Sequence, residues 1–534
     1  MVSNSTLPQS ESPFASVFNK IVLGLLGLVL LVRLSFLGAG AMTFPDEYRY
    51  YASIDAVYGL FPISHGGFAK FNAGIQRTQG RPGDALLRTV PAGLQLQLEK
   101  MTGINLHSQE SLLIPILFNY FITLGSLYLF YRIAQLLLRN QPAALLSTVV
   151  YSCLVNTNLY IRHILPYDTG MLCVFGTFFL CLRMKQQPFR RTWPARFAIG
   201  ALAGLTFAVY PGYNAVIVVA GLLLLEKRIF TDADWKSLFR TGLPYGFGVL
   251  AVLGFFQLLS LANGTSYYED CLTLSDTIKQ GDYADGVMFL PKYLFQAEQS
   301  LGYLLAGLIV VAVPVLFFRL RTGFTPSRLF ALISDNLMVI AMVLAFVWHV
   351  VMVYYFEKMV FYGRLLHLYI PFFVLLVIKV LYPFTRRNIQ YVAAAAVGGV
   401  ALYSFAVFAL QYHRIVYPLT FLHQHANDYP GAKVTTREQA ATADNADYFI
   451  PLNGFSQHPA TPGQAEVVLV NMGFLYPITD NNWCNEIKLP ASFKLTYSAP
   501  HFLNLRAYPF EGYTMAERDI LLRCQYQCQV YEQR

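Results

Sequence analysis

Asp46 and Glu47 sit side by side in the run Pro45-Asp46-Glu47, with Arg49 close behind, directly after an apolar stretch that ends at Ala41. A carboxylate at the boundary between apolar and polar surroundings can be tuned as a base, and a ligand embedded in a membrane can reach it. Five later positions complete a possible set of reacting groups. Arg162, His163 and Asp168 lie in one short polar break, Ile161-Arg162-His163-Ile164-Leu165-Pro166-Tyr167-Asp168, and Lys358 and Arg364 flank a second. An aspartate in hydrogen-bond reach of a hydroxyl can take its proton. Guanidinium and ammonium groups suit the oxygens of a phosphate leaving group. The plainer roles are a Glu47 that pairs with Arg49, an Asp168 that caps a helix behind Pro166, and arginines that reach lipid headgroups.

These residues must be positioned by membrane-spanning helices. The chain has 534 residues, of which 55% are hydrophobic and 13% charged. Soluble domains carry about 25% charged residues, so the composition is that of a polytopic α-helical membrane protein. Apolar runs near the length needed to cross a bilayer cover 18–41, 110–137, 142–160, 168–183, 196–210, 212–226, 242–262, 302–320, 335–355, 365–384 and 390–411. That predicts about eleven transmembrane helices. The pair around Tyr210-Pro211-Gly212-Tyr213 could instead be one kinked helix. Counting it as two puts the basic residues around Arg139, Arg183–Arg196, Lys227–Arg240, Arg319–Arg328 and Arg386-Arg387 on a single side. Positive charge marks the cytoplasmic side, so residues 1–17 are expected there and every candidate reacting group on the opposite face. The net charge of +9 reflects this bias. It forms no clustered stripe of the kind that binds nucleic acid, and no such partner is expected. The segment Lys20–Ala41 also has the outline of a cleavable signal peptide, but Arg33 interrupts its apolar run.

The transmembrane part is expected to run from 18 to 411 and to include an external loop, 44–108. In that loop Tyr50–Phe61 and Leu86–Met101 have the spacing of interfacial amphipathic helices. Arg77, Arg81 and Arg88 lie between or on them and are expected mainly to anchor headgroups. Loop 263–301 could cover the site. From 412 to 534 the chain turns polar, with strand-like runs at 466–470 and 493–497 and a short helix at Met515–Cys524. An external soluble domain, α/β or mostly β, is expected there. Cys271, Cys484, Cys524 and Cys528 fall on the side where disulfides form, and Cys484 could bridge to Cys524 or Cys528. Cys153, Cys173 and Cys181 read as packing residues. No nucleotide loop, dinucleotide fingerprint, zinc-protease helix or serine-hydrolase elbow is present.

One span, Pro-Asp-Glu-x-Arg-Tyr, and a long external loop with interfacial helices together resemble the GT-C glycosyltransferases. The similarity is to the branch of protein O-mannosyltransferases and lipid A aminoarabinose transferases, over roughly 18–411. Three further stretches resemble that branch: 161–168, Gly204-Leu205-Thr206-Phe207 with Tyr210-Pro211, and Lys358 with Tyr362-Gly363-Arg364 and Pro371. At Arg81-Pro82-Gly83 the family usually shows His-Pro-Pro, and the chain departs from it. The resemblance implies transfer of a sugar from a polyprenyl-phosphate-linked donor to an acceptor hydroxyl on a lipid, glycan or protein, with inversion. Asp46 would be the base. Glu47 and Asp168 would also act in catalysis, and Arg49, Arg162, His163, Lys358 and Arg364 would bind substrate. Asp46, Glu47 and Asp168 could also converge on a divalent cation. The implied location is a bacterial inner membrane, with the site and the C-terminal domain in the periplasm. A lipid-linked glycan flippase, a polysaccharide ligase or polymerase, and a non-catalytic scaffold remain the alternatives.

Overall fold

A computed structural model describes residues 13–37, 47, 57, 65–76, 78, 80–104, 113–186, 192–227, 229, 235–279, 288–321, 326–356, 363–382, 387–417, 421, 425, 428, 434–438, 467–471, 491–511, 515–523 and 525–534. Asp46, Arg49 and Lys358 lie outside these residues, as do Arg77 and nearly all of the interfacial stretch Tyr50–Phe61.

Helices dominate. They are α1 (Pro13–Leu34), α2 (His65–Gln76), α3 (Pro82–Thr102), α4 (Leu113–Leu138), α5 (Gln141–Cys153), α6 (Val155–Asn158), α7 (Pro166–Gln186), α8 (Thr192–Val209), α9 (Ala215–Lys227), α10 (Trp235–Leu261), α11 (Tyr267–Lys279), α12 (Phe289–Gln296), α13 (Gln299–Arg321), α14 (Pro326–Tyr354), α15 (Gly363–Leu381) and α16 (Arg387–Arg414). Each of the eleven apolar runs overlies a helix, and 142–160 covers both α5 and α6. Among the described residues, eight are long and apolar enough to cross a membrane. The protein is therefore a polytopic integral membrane protein. The three runs outside that group have visible reasons. α5 stops at Leu154, whose backbone is extended. α7 opens on the polar sequence Asp168-Thr169-Gly170. α9 has only 13 residues and follows the 3₁₀ turn Pro211–Tyr213, so the Tyr210-Pro211-Gly212 stretch is a break between two helices.

The helices pack closely where side chains are absent. Gly200 and Gly204 on α8 face α10, and Gly248 on α10 faces α8. A Cβ at Gly200 would collide with the Tyr245 carbonyl, and one at Gly248 with the Phe197 carbonyl. Small residues four apart allow two backbones to meet in a membrane, where helix association relies on van der Waals contact.

Buried arginines tie the bundle together. Arg33, fully buried near the end of α1, donates through Nε to Asn158 Oδ1 at 2.6 Å and through Nη2 to the Ser152 carbonyl. The residue that interrupts the first apolar run thus fastens α1 to the α5–α6 corner. Arg88 was expected at the headgroups, yet it is fully buried. Its Nε meets Asp84 Oδ2 at 2.7 Å, one helical turn earlier on α3, while Nη1 reaches Asn119 Oδ1 at 2.7 Å and Nη2 the Leu165 carbonyl at 2.8 Å. Arg81 is buried too, with its guanidinium 5.5 Å from the Tyr210 ring centre. Interfacial spacing on α3 therefore conceals an inward polar face. Removing one partner of a buried pair costs about 3–5 kcal/mol. Arg88→Met is expected to lower the thermal unfolding midpoint of the detergent-solubilised protein sharply, and adding Asp84→Leu should recover part of the loss.

After α16, Val416 bridges to His501 in parallel. The strands β1 (Val434–Glu438), β2 (Val467–Asn471), β3 (Phe493–Pro500) and β4 (Gln527–Gln533) form one sheet in the order β1-β2-β4-β3. The first pair is parallel and the other two are antiparallel. A helix at Met515–Leu521 precedes β4. Both strand-like runs of the sequence are strands. β1 and β4, rich in polar residues, were not anticipated. Cys271 is a free thiol. Cys484 and Cys524 lie outside the described residues.

Candidate active site

The polar break at 159–165 is the centre of the site. It turns at Leu159–His163 before Pro166 starts α7. Its backbone is held from two sides. Asn119 on α4 donates to the Ile161 and His163 carbonyls at 3.2 and 2.8 Å. On the other side Glu47 Oε1 accepts from the Ile164 amide at 3.1 Å. Glu47 is fully buried, and the same oxygen lies 3.3 Å from His163 Nδ1. His163 Nε2 meets the Tyr508 hydroxyl at 2.8 Å, and Tyr508 meets Tyr417 at 2.5 Å. His163 is thus clamped between a carboxylate and two phenols.

Arg162 does not reach toward headgroups. It is 5% exposed, with its guanidinium 3.8 Å from the Tyr412 ring centre and 5.3 Å from that of Tyr417. A buried cation on aromatic faces is electrostatically supported while its N–H groups remain able to donate.

Asp168 lies in the first turn of α7, inside the helix, so it is not the cap. Its Oδ1 is 3.3 Å from His367 Nε2 on α15. His367 Nδ1 is 2.6 Å from Asn156 Oδ1. The Asn156 amide is oriented by its Nδ2, which donates to the Gly363 carbonyl at 3.0 Å and lies 2.7 Å from the Tyr293 hydroxyl. Oδ1 of Asn156 therefore accepts from His367, and both ring nitrogens face acceptors. Asp168 and His367 thus form a close carboxylate–imidazole pair. Asp168 Oδ2 is buried and has no hydrogen-bond partner among the described residues. Buried polar atoms are normally satisfied, and an exception calls for an explanation such as a ligand or a catalytic role.

Arg364, three residues before His367, donates from Nη1 to the Tyr167 hydroxyl at 2.5 Å. Tyr160 lies between the two carboxylate–histidine pairs: its carbonyl accepts from the His163 amide at 2.9 Å, and its ring is 4.8 Å from Tyr167 and 5.9 Å from His367. Behind them, Glu298 accepts from the Val155 and Asn156 amides at 2.7 and 2.9 Å and fixes the start of α6.

Five of the eight sequence-derived candidates, Glu47, Arg162, His163, Asp168 and Arg364, thus meet at one end of the bundle. Asp46 and Arg49 flank the anchored Glu47 in sequence. Among the described residues no three His, Cys, Asp or Glu side chains converge as a metal site would require. Glu47 and Asp168 are each taken up by a histidine.

Over about 85% of its length the chain is structurally similar to two solved membrane proteins. One is ArnT from Cupriavidus metallidurans bound to undecaprenyl phosphate, with 14% identity, 85% of this chain and 93% of that chain covered, and a TM-score of 0.49. The other is the archaeal oligosaccharyltransferase AglB from Archaeoglobus fulgidus in complex with an inhibitory peptide and a dolichol-phosphate, with 10% identity, coverage of 86% and 70%, and a TM-score of 0.46. No protein-family model matches the sequence, and no curated protein does.

Several residues of the site escaped the sequence reading. His367 and Asn156 left a usable signal, since polar side chains within apolar runs are functional candidates by default. Tyr417 and Tyr508 left none, because they come from the polar C-terminal part and are near the site only in three dimensions.

Proposed function

We propose that the protein is a glycosyltransferase that moves a sugar from a polyprenyl-phosphate-linked donor to an acceptor hydroxyl on the external face of the membrane. The observation that carries this reading is the meeting of Glu47–His163, Asp168–His367, Arg162 and Arg364 at one end of the bundle, with Asp168 Oδ2 left open. Burying this much charge in a membrane protein is expensive and is retained where a substrate uses it.

In this reading the eleven apolar runs are eleven crossings, residues 1–17 are cytoplasmic, and 412–534 form a periplasmic domain of a bacterial inner-membrane protein. Asp46 takes the proton of the acceptor hydroxyl as the oxygen attacks the anomeric carbon. The bond from that carbon to the phosphate oxygen breaks, with inversion, and polyprenyl phosphate leaves with its electron pair. Glu47 keeps Asp46 in place by locking its own side chain onto the 161–165 turn. Arg364, assisted by Arg162, Arg49 and Lys358, balances the charge that grows on the phosphate. Asp168 and His367 supply a second carboxylate–imidazole pair beside that cation.

The test is made in cells. Deleting the gene in its host should cause one polyprenyl-phosphate sugar to accumulate and one envelope sugar modification to disappear, both read by mass spectrometry. Restoring the wild-type protein should reverse both. A deletion that leaves lipid-linked sugars and envelope glycans unchanged would remove the transferase reading. Accumulation of a donor with its sugar trapped on the cytoplasmic face would favour a flippase.

A further inference from the structure

The end of the bundle opposite the candidate active site holds a second group of charged side chains. α7 runs between the two. Asp168 stands in its first turn and Lys185 in its last, about 25 Å apart at 1.5 Å of rise per residue. Arg139, Arg183 and Lys185 are among the basic residues at this far end, and such residues mark the cytoplasmic side. There a cleft of about 250 Å³ opens between the ends of α4, α7 and α9 and the first turns of α14. Its walls are apolar: Leu137, Leu182, Leu223 and Met338 line it, and all four are buried. Protein interiors leave few voids larger than a water molecule, so a space of this size calls for an occupant.

The mouth of the cleft is charged. Lys185 Nζ donates to the two Glu226 oxygens at 2.9 and 2.7 Å and to the Ser334 carbonyl at 2.6 Å. The Ser334 hydroxyl also donates to Glu226. Both oxygens of the buried Glu226 are thereby occupied, and α7, α9 and α14 are tied together. Arg139 is held far more loosely. Its Nη2 lies 3.5 Å from Asp335 Oδ1, and the two side chains are 73% and 56% exposed. An exposed ion pair of this kind contributes little, so another anion can take the carboxylate's place. Lys379 of α15 donates to the Asp335 carbonyl at 3.4 Å and lies within electrostatic range of Arg139 and Lys185. Three cations therefore gather against two carboxylates. One positive charge is left over at the lip of an apolar cleft.

We propose that this cleft binds one anionic phospholipid of the cytoplasmic leaflet. Arg139 grips the phosphodiester, with Lys185 and Lys379 behind it, and the apolar walls receive the glycerol end of the acyl chains. A guanidinium fork matches two phosphate oxygens at once. Basic pockets between membrane helices on the cytoplasmic side suit such headgroups. The single charge of a phosphodiester balances the single positive excess, and the leucine walls favour a lipid over a free phosphate ester. The site is separate from the transfer chemistry and stands whatever the sugar donor is.

The test uses the full-length protein purified in detergent. It is titrated with a phosphatidylglycerol and, separately, with a phosphatidylcholine of the same chains, and bound lipid is counted by native mass spectrometry. Wild type should retain one phosphatidylglycerol in preference to phosphatidylcholine. Arg139 has a left-handed backbone, φ 50°, which asparagine tolerates, so Arg139→Asn removes the charge and keeps the turn. Its affinity for phosphatidylglycerol should fall about fivefold, the worth of one basic residue beside an anionic lipid. Asp335→Asn removes the competing carboxylate, and its affinity should rise. General damage to the fold does not produce opposite signs at two exposed positions. Equal retention of the two lipids by wild type overturns the proposal. So do two variants that both bind as wild type does or that shift in the same direction. A last arm adds glycerol 3-phosphate in large molar excess. Phosphatidylglycerol that stays bound supports a lipid site, whereas its displacement shows that the cleft takes a soluble phosphate ester and overturns the lipid assignment.

Discussion

Replacing Asp46 by Asn is expected to cut sugar transfer by about 10²–10⁴-fold, the usual worth of a general base, and to leave the lipid-linked donor accumulated. Asn keeps the size and hydrogen-bonding reach of the side chain and loses only its basicity. The expectation rests on what the neighbouring residue does. Glu47 is fully buried and accepts from the Ile164 amide while pairing with His163. A side chain so enclosed cannot approach a substrate hydroxyl, so on the transferase reading proposed above Glu47 anchors and Asp46 reacts. Glu47→Gln, which still accepts from the Ile164 amide, should then lose much less activity than Asp46→Asn. Equal losses in the two variants would mean that the acidic pair acts as a unit. Mass spectrometry of donor and product in cells expressing matched amounts of each protein separates these outcomes.

The second large effect is expected at Arg364. Arg364→Ala should lower turnover by about 10²–10³-fold, the range measured when one preorganised donor is taken from a developing anion. Arg364→Lys should recover only part of that loss. An ammonium keeps the charge but lacks the planar fork that grips two phosphate oxygens at once. The 2.5 Å bond from Nη1 to the Tyr167 hydroxyl orients this fork. Tyr167→Phe removes one hydrogen bond, worth about 1 kcal/mol, and should cost roughly fivefold in turnover without abolishing it. Full activity in Arg364→Ala would assign the phosphate to other cations, Arg162 first.

The membrane architecture was legible because hydropathy and charge act locally. Eleven apolar runs and the Pro211-Gly212 break are written in stretches of about 20 residues, and the helices follow them. Asp168, Arg162 and His163 were legible for a related reason: polar residues clustered between apolar runs stand out. Arg88 was misjudged because helical spacing reports which face is apolar. It does not report that Asp84, Asn119 and the Leu165 carbonyl wait on the inward side. The cap role considered for Asp168 failed because α7 already begins at Pro166, and its partner His367, on a helix nearly 200 positions later, had no local signature. Contacts of long sequence separation have no local signature. Tyr508 is the extreme case, brought into the site by a C-terminal segment whose own sequence gives no hint of a membrane partner.

The most direct measurement is made on the purified protein in nanodiscs. A polyprenyl-phosphate sugar, identified by its accumulation in the deletion strain, is supplied with an extract of envelope acceptors. Release of polyprenyl phosphate is followed over time for wild type, Asp46→Asn and Arg364→Ala. The transferase reading predicts release by wild type that depends on the acceptor and is matched by sugar on the product, with both variants nearly silent. Donor that stays intact with wild type in the presence of every acceptor fraction, or that is consumed equally by all three proteins, would contradict it.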